Sequence, residues 1–260
     1  MFSALATAGG TSCSQSVPHP WLDAPHKLEA AAYITNLSSG DRVASPFVVK
    51  FGMRHWGIAP TAHKQDIPRT GHYHLLIDAP LPSPIDSPIP FSKNYVHYGK
   101  GQMEAIVDLP PGPHSLRLLL ANHDHIPFFV YSNLVKIIVT GKDPAALPAT
   151  YGKVPHLEFL NVKDGDTLIK PFLLRFHASG LNIAHADTKL VGTGYFQLKL
   201  FNTGSSRNDD VTIPFPNGVT EAQLDPPKGT YEIQLQYVEN GNNKLSNVVS
   251  KPLTITVKNK

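Results

Sequence analysis

The chain contains an internal duplication, and this feature limits its fold more than any other. The stretch from Gly40 reads GDRVASPFVVKFGMRHW, and the stretch from Gly165 reads GDTLIKPFLLRFHASGL. Later matches keep the same order: IPF at Ile89–Phe91 and Ile213–Phe215, MEAIVDLPPG from Met103 and TEAQLDPPKG from Thr220, and SN at Ser132 and Ser246. A repeated unit of about 110 residues predicts two domains of one fold.

The second copy serves as an internal control, because residues that the fold requires should tend to recur in both copies. The histidines of the first copy do not recur. His72 aligns with Tyr195, His74 with Gln197, His114 with Tyr231, His123 with Asn240 and His125 with Asn242, while the segment 95–101 is predicted to have no counterpart. We infer that these histidines serve a function that the second unit lacks.

Composition excludes several classes of protein. The net charge is +3 with no run of Lys or Arg, which argues against a nucleic-acid partner. No stretch approaches the roughly 18 to 20 apolar residues of a transmembrane helix. Cys13 is the single cysteine, so an intrachain disulfide and a cysteine-rich zinc site are excluded.

The N-terminal residues 1–27 are predicted to be either the end of a secretory signal or a disordered tail. They contain small residues with Ala-x-Ala spacing at Ala4–Ala6 and Ala6–Ala8, but no basic section before them. Lipid attachment at Cys13 stays open as a further alternative. A signal here predicts a periplasmic or secreted bacterial protein.

The rest of the chain is predicted to be all-β. Short runs rich in β-branched and aromatic residues alternate with turn residues, and 24 prolines would break most candidate helices. Six or seven strands per unit predict two tandem immunoglobulin-like β-sandwich domains. The predicted boundaries are a first domain at 28–141, a linker at 142–155 and a degenerate repeat at 156–260.

The histidines are predicted to gather at one end of the first sandwich. Alternation along a strand places His72 and His74 on the face away from the core. Immunoglobulin topology then brings the following residues to one pole: His55, His63, His72, His74, His97, His123, His125, Met53 and Met103. His114 begins its strand at the opposite pole, where Tyr231 occupies the tyrosine-corner position in the second unit, so both are predicted to be structural.

Such a pole suits a transition metal, because neutral imidazole is a ligand for Cu, Zn, Ni and Fe(II). The predicted ligands are His72, His74, His97, His123 and His125, and the additional candidates are His55, His63, Met53 and Met103. Copper is favoured over zinc because histidine and methionine occur together. No nucleophile motif or carboxylate pair predicts an enzyme, although a copper or iron oxidase stays open.

The alternative is a non-enzymatic interaction module or assembly subunit, in which exposed aromatic residues at the same pole bind a protein or a glycan, or in which the sandwiches assemble with each other. The candidate residues are Trp56, Tyr95, Tyr98, Phe128, Phe129 and Tyr131.

Four motifs of the first unit resemble a family of small secreted bacterial domains, domain of unknown function 4399. These are GHYHLLID at 71–78, VHYGKGQ at 96–102, LPPGPHSL at 109–116 and ANH at 121–123. The family signature reads GHHHLLID, so Tyr73 replaces its middle histidine at a position that should face inward. The resemblance spans about 45–141 and implies export and a possible metal site, with no established activity. The second unit looks like a degenerate copy.

Overall fold

The computed structural model describes residues 30–84, 86–147, 151–204, 210–242 and 244–260. The predicted tail at 1–27, with Cys13, lies outside these residues. Strands dominate the described chain, and its helices are two short 3-10 turns at Pro144–Ala146 and Ala186–Thr188. The all-β prediction is confirmed. The described part of the chain has no apolar helix of membrane-spanning length.

The first unit is a sandwich of two sheets. Its strands are β1 (Ala31–Ile34), β2 (Arg42–Ser45), β3 (Phe47–Arg54), β4 (Gly57–Ile58), β5 (Thr70–Ile77), β6 (Tyr95–Tyr98), β7 (Glu104–Val107), β8 (Gly112–Ala121), β9 (Pro127–Tyr131) and β10 (Val135–Lys142). The smaller sheet has the order β1-β3-β7 and the larger one β2-β10-β8-β5-β4, with β6 also paired to β5 and β9 to β8. Strand β5 therefore lies inside the larger sheet.

The second unit repeats this arrangement. Its strands are β11 (His156–Phe159), β12 (Thr167–Ile169), β13 (Phe172–Ser179), β14 (Gly194–Asn202), β15 (Val211–Pro214), β16 (Glu221–Leu224), β17 (Gly229–Glu239), β18 (Lys244–Val249) and β19 (Leu253–Lys258). The sheet orders are β11-β13-β16 and β12-β19-β17-β14-β15, with β18 paired to β17. The bridge between Ile183 and Gly194 takes the place of the β4–β5 pair. The two sandwiches correspond strand for strand.

The IPF match in the two copies is wrong as a structural equivalence. Ile213 pairs with Leu198 on β14, whereas the residue that pairs with the corresponding Leu75 on β5 is Val96. The prediction that the segment 95–101 has no counterpart is also wrong, because by this pairing it corresponds to 212–218. Ile89–Phe91 belongs instead to a loop between β5 and β6 that is longer than the matching loop of the second unit.

The SN match also shifts by four residues. The backbone N–H of Ser132 donates to the carbonyl of Leu118. In return, the N–H of Leu118 donates to the Ser132 hydroxyl at 2.9 Å. Ser250 forms the same pair of bonds with Leu235. Ser250, and not Ser246, is thus the counterpart of Ser132.

The two units contact each other through an approximately two-fold arrangement. The N–H of Ile58 donates to the carbonyl of Gly218 at 3.0 Å, and the N–H of Ile183 donates to the carbonyl of Gly101 at 2.8 Å. Ile58 and Ile183 occupy equivalent positions in their units, as do Gly101 and Gly218. Each unit therefore offers the same donor and the same acceptor to the other, as the subunits of a symmetric dimer do.

Two equivalent glutamates extend this symmetry. Glu104 on β7 accepts hydrogen bonds from Ser179 at 2.6 Å and from His177 at 3.0 Å, both on β13. Glu221 on β16 lies 3.4 Å from Arg54, which occupies on β3 the position of Ser179 on β13. The buried apolar residues of both units also form one continuous cluster, so the sandwiches share a core.

The inter-unit contact makes a prediction about two glycines with similar backbones. Gly101 has φ +96 and a Cβ there would lie 2.2 Å from the carbonyl oxygen of Ile183, whereas Gly40 has φ +100 and open space. Gly40→Ala should cost about 1–2 kcal/mol of backbone strain. Gly101→Ala should cost about 1–3 kcal/mol more, because it also breaks an inter-unit hydrogen bond. Urea unfolding of the whole chain measures both, and equal losses would contradict the interface.

Candidate metal centre

Strand β5 presents a different chemistry on each of its two faces. Tyr73, Leu75 and Ile77 point into the core between the sheets. His72 and His74 point to the outer face of the larger sheet, as the alternation predicts, yet both are fully buried. Their Nε2 atoms lie 2.9 Å apart. The outer face at this point is therefore covered.

Two further imidazoles complete a group of four. His97 on β6 is the cross-strand partner of His74, and its ring centroid lies 4.8 Å from that of His72. His125, in the loop between β8 and β9, adopts φ 66 and its ring lies 4.8 Å from that of His97. One nitrogen from each of the four rings lies within 4.8 Å of the others. We call His72, His74, His97 and His125 the histidine cluster.

A small hydrophobic cluster beside the imidazoles holds the cover in place. Leu76, Leu119, Ala121 and Ile89 are buried together on the outer face of the sheet, apart from the main core. Ile89 comes from the long β5–β6 loop, and its N–H donates to the carbonyl of His125 at 2.9 Å. The loop that carries Ile89 is thus attached to both the sheet and the histidine cluster.

The histidine cluster has few hydrogen-bond partners. Within the described chain, no polar partner reaches His72 Nδ1, His74 Nδ1, His97 Nε2 or His125 Nε2, and all four atoms are buried. A buried polar atom without a partner costs about 1–3 kcal/mol. The sheet itself does not require this cost, because the second unit forms the same strands without these histidines.

Burial sets the charge of the histidine cluster. Desolvation, with a smaller contribution from the neighbouring imidazoles, lowers the pKa of His72 to about 2 and that of His74 to about 3. Desolvation also lowers the pKa of His97 and of His125. The imidazoles are therefore neutral at pH 7, which is the form that binds metals.

Gly99 provides the space for one of these rings. A Cβ at this position would lie 2.2 Å from Nε2 of His97. The equivalent residue in the second unit is Pro216, where no imidazole needs room. Gly99 is thus a positioning residue that the sequence motif contained but that sequence reasoning did not single out.

His123 lies outside the histidine cluster, although it was predicted as a ligand. Its Nδ1 lies 2.9 Å from Asp66 and its Nε2 lies 3.3 Å from Asp124. These two carboxylates hold the ring of His123 away from the ring of His125. Turn geometry, which the sequence pattern does not determine, selects His125 over His123.

The additional candidates also lie elsewhere. Met53 and Met103 are fully buried in the main core, so their thioethers pack between the sheets and do not reach the outer face. His55 follows β3 with φ 61, and His63 lies close enough to His185 of the second unit to affect its pKa. Neither His55 nor His63 belongs to the group of converging ligands in the described chain.

His114 and Tyr231 form equivalent contacts at the opposite end of their strands. His114 Nε2 lies 2.9 Å from the carbonyl oxygen of Pro110, and the Tyr231 hydroxyl donates to the carbonyl of Pro227 at the same distance. Each bond spans four residues, as a tyrosine corner requires. Burial alone would lower the pKa of His114, but its hydrogen bonds to Asp78 and Pro110 outweigh this effect and raise it.

The predicted aromatic patch is not continuous. Trp56, Tyr98 and Phe128 pack against the main core, and the rings of Trp56 and Phe128 lie 4.9 Å apart. Phe129 and Tyr131 remain exposed on β9, where Arg117 lies over the Tyr131 ring. The exposed aromatic surface is therefore smaller than predicted.

The fold defines a tandem immunoglobulin-like protein, and among its described residues one group of converging ligands, the histidine cluster of the first sandwich, is a candidate metal centre. The family described as "Domain of unknown function (DUF4399)" matches residues 49–140 and again residues 174–258. The chain belongs to this family, and it contains the domain twice. A search of curated proteins finds no match.

Solved structures similar to this chain include fibronectin(III)-like modules of CbhA from Clostridium thermocellum, at 10% identity and TM-score 0.23, covering 88% of this chain and 94% of that one. The FN1-FN3 domains of chicken CNTN1 match at 11% identity and TM-score 0.25, and the match covers 86% of this chain and 64% of that one. A third match is SGBP-B of a Bacteroides ovatus mixed-linkage glucan utilization locus, solved in complex with a mixed-linkage heptasaccharide. It matches at 10% identity and TM-score 0.24, and the match covers 88% of this chain and 47% of that one. At these scores they carry no functional argument.

The lowered pKa values predict acid sensitivity of the metal-free protein. Below pH 6.5 a histidine in the unfolded chain gains a proton. In the folded protein, His72 and His74 stay neutral until the pH nears their own pKa values of about 2 and 3. Each should therefore remove about 1.4 kcal/mol of stability per pH unit below 6.5. Urea unfolding in the presence of a chelator, between pH 6.5 and 5, measures this slope.

His74→Gln, which introduces the residue of the second unit, should reduce that slope by about 1.4 kcal/mol per pH unit. His114 supplies the opposite case, because its raised pKa stabilises the fold as the pH falls. His114→Tyr should therefore leave the slope at least as steep as in the wild type. An unchanged slope in His74→Gln would show that His74 is not neutral in the folded state.

Proposed function

We propose that the protein is an extracytoplasmic metal-binding protein, periplasmic or secreted, whose first sandwich binds one transition-metal ion through His72, His74, His97 and His125. The observation that carries this proposal is the convergence of four neutral imidazoles, from two strands and one loop, within 4.8 Å. Copper is the metal we favour, ahead of zinc.

The energetics support a ligand-binding role. Four buried imidazole nitrogens without partners oppose folding, and the second unit dispenses with all of them at Tyr195, Gln197, Pro214 and Asn242. A structural purpose would leave a similar group in both copies. A bound ion would instead use one nitrogen of each ring, and its binding energy would offset the cost of burying the imidazoles.

The ligand types favour a borderline metal. The converging group consists of imidazoles alone, with neither carboxylate nor thiolate, whereas Ca²⁺ and Mg²⁺ require oxygen ligands. For nitrogen sites the affinity of divalent ions peaks at Cu²⁺. Because Met53 and Met103 are core residues, the preference for copper now rests on the imidazoles and no longer on a thioether.

The distances require only a small contraction. A metal–nitrogen bond is about 2.0 Å, so opposite ligands of a planar site lie about 4 Å apart. The nitrogens of the histidine cluster all lie within 4.8 Å of one another, which is close to this value, and the 2.9 Å between Nε2 of His72 and Nε2 of His74 already suits neighbouring ligands. Small side-chain rotations would therefore bring all four nitrogens to bonding distance.

A second candidate function is binding of a protein or glycan by the first unit. Phe129 is 77% exposed and Tyr131 is 41% exposed on β9, and an exposed aromatic pair of this kind favours a contact surface. If metal-free protein bound its partner undiminished, this function would be preferred.

The metal proposal predicts one tight ion per chain, with loss of affinity in two variants. His74→Gln removes a ligand and should weaken Cu(II) binding by at least about 100-fold. Gly99→Ala displaces the ring of His97 by steric contact and should weaken Cu(II) binding by at least about 10-fold. At a hundredfold excess over its Kd, the ion should stabilise the wild type by about 2.7 kcal/mol. Isothermal titration with Cu(II) and Zn(II), combined with thermal unfolding, measures these effects.

His114→Tyr is the matched control, because it also introduces the residue of the second unit. His114 lies near the start of β8, whereas the histidine cluster lies beside the end of that strand. It should bind Cu(II) with wild-type affinity. Equal loss in all three variants would indicate a folding defect, and equal binding in all three would show that the histidine cluster is not the site.

A further inference from the structure

Phe91 lies over the histidine cluster on the side that faces solvent. Its ring centroid lies 4.9 Å from that of His125, 5.4 Å from that of His97 and 6.4 Å from that of His74. The side chain is nevertheless 65% exposed, so the ring contacts imidazoles on one side and water on the other. Phe91 is therefore not a core residue that happens to lie near the site.

The position of Phe91 is fixed by its neighbour in sequence. Ile89, two residues earlier, is 1% exposed in the small hydrophobic cluster with Leu76 and Leu119. The hydrogen bond from its N–H to the carbonyl of His125 joins the same loop to the loop that carries a ligand. With this anchor, the ring remains above the imidazoles while its outer side stays in solvent.

The opposite side of the histidine cluster is closed by the sheet. His72 and His74 are fully buried there, and each side chain rises from the backbone of the central strand β5. An external molecule can thus reach an ion among the four nitrogens only from the solvent side. That approach is the one that Phe91 occupies.

Closure of a metal site decides what the site can do. Catalytic metal sites keep one coordination position open for water or substrate, whereas structural sites are filled by protein ligands. The hydrocarbon ring over the exposed side of this four-imidazole site cannot itself donate or accept a hydrogen bond that would stabilise a fifth ligand. Such a site retains its ion and does not react.

We propose that Phe91 excludes exchangeable ligands from the bound ion, so that the protein holds a metal in a closed four-imidazole site and does not act as an oxidase. This inference rests on the proposed metal function. It assigns to Phe91 a positioning role, since the ring contacts the ligands and not a substrate.

The test uses the whole chain loaded with one equivalent of Cu(II) and titrated with azide. Azide that binds copper produces a ligand-to-metal charge-transfer band. Wild type should give no band, whereas Phe91→Ala should give one, and Phe91→Leu should lie between them. Ile106→Ala is the control, because Ile106 is 56% exposed on β7 of the other sheet, and it should behave as wild type.

Water relaxation provides a second readout that does not depend on azide. The Cu(II)-loaded Phe91→Ala protein should relax bulk water protons faster than wild type, because it gains an inner-sphere water. Thermal unfolding of each metal-free variant checks that the fold is retained.

The outcomes separate the two proposals. If wild-type protein binds Cu(II) but gives the azide band as strongly as Phe91→Ala, closure by Phe91 is overturned while metal binding stands. The same holds if neither protein gives a band, because another group would then block the approach. If wild type binds no copper at all, the proposed function fails, and closure fails with it.

Discussion

The structure of the site depends on one constraint, which is the burial of neutral imidazoles on the outer face of a sheet. Alternation along β5 places Tyr73 in the core and sends His72 and His74 to the other side, where an ordinary sandwich would expose them. The β5–β6 loop and the β8–β9 loop instead cover this face. Exclusion of water lowers the pKa of each imidazole and, within the described chain, leaves one nitrogen of each ring without a partner, so the rings are in the unprotonated form that a metal cation requires.

The duplication separates what the fold needs from what the site needs. Both copies keep the strand order, the strand pairs and the hydrogen bond at the corner, where His114 and Tyr231 are interchangeable as donors. Only the first copy has the long β5–β6 loop and the imidazoles beneath it. The second copy contributes half of an approximately symmetric interface, with Glu104 and Glu221 in equivalent roles. It therefore contacts the first sandwich, and its described residues contain no group of converging metal ligands.

Sequence predicted the architecture well because the repeat and the alternation depend on local patterns. The convergence of His72, His74 and His97 followed from strand directions alone. Sequence patterns failed where the conformation of a loop decides which residues meet. His123 bonds to carboxylates while His125 turns inward, and the IPF match aligned a covering loop of the first unit with a core strand of the second. Spacing along a loop does not determine φ angles or contacts. Met53 and Met103 were predicted at the pole of the histidines, but both side chains pack in the main core between the sheets.

The most direct measurement is anomalous scattering at the copper edge from crystals grown with one equivalent of Cu(II). We expect a single peak in the first sandwich, about 2.0 Å from nitrogens of His72, His74, His97 and His125, and none in the second. A peak at His123 and Asp66, or peaks distributed over exposed histidines of both units, would contradict the four-imidazole site. Absence of any peak would contradict metal binding itself.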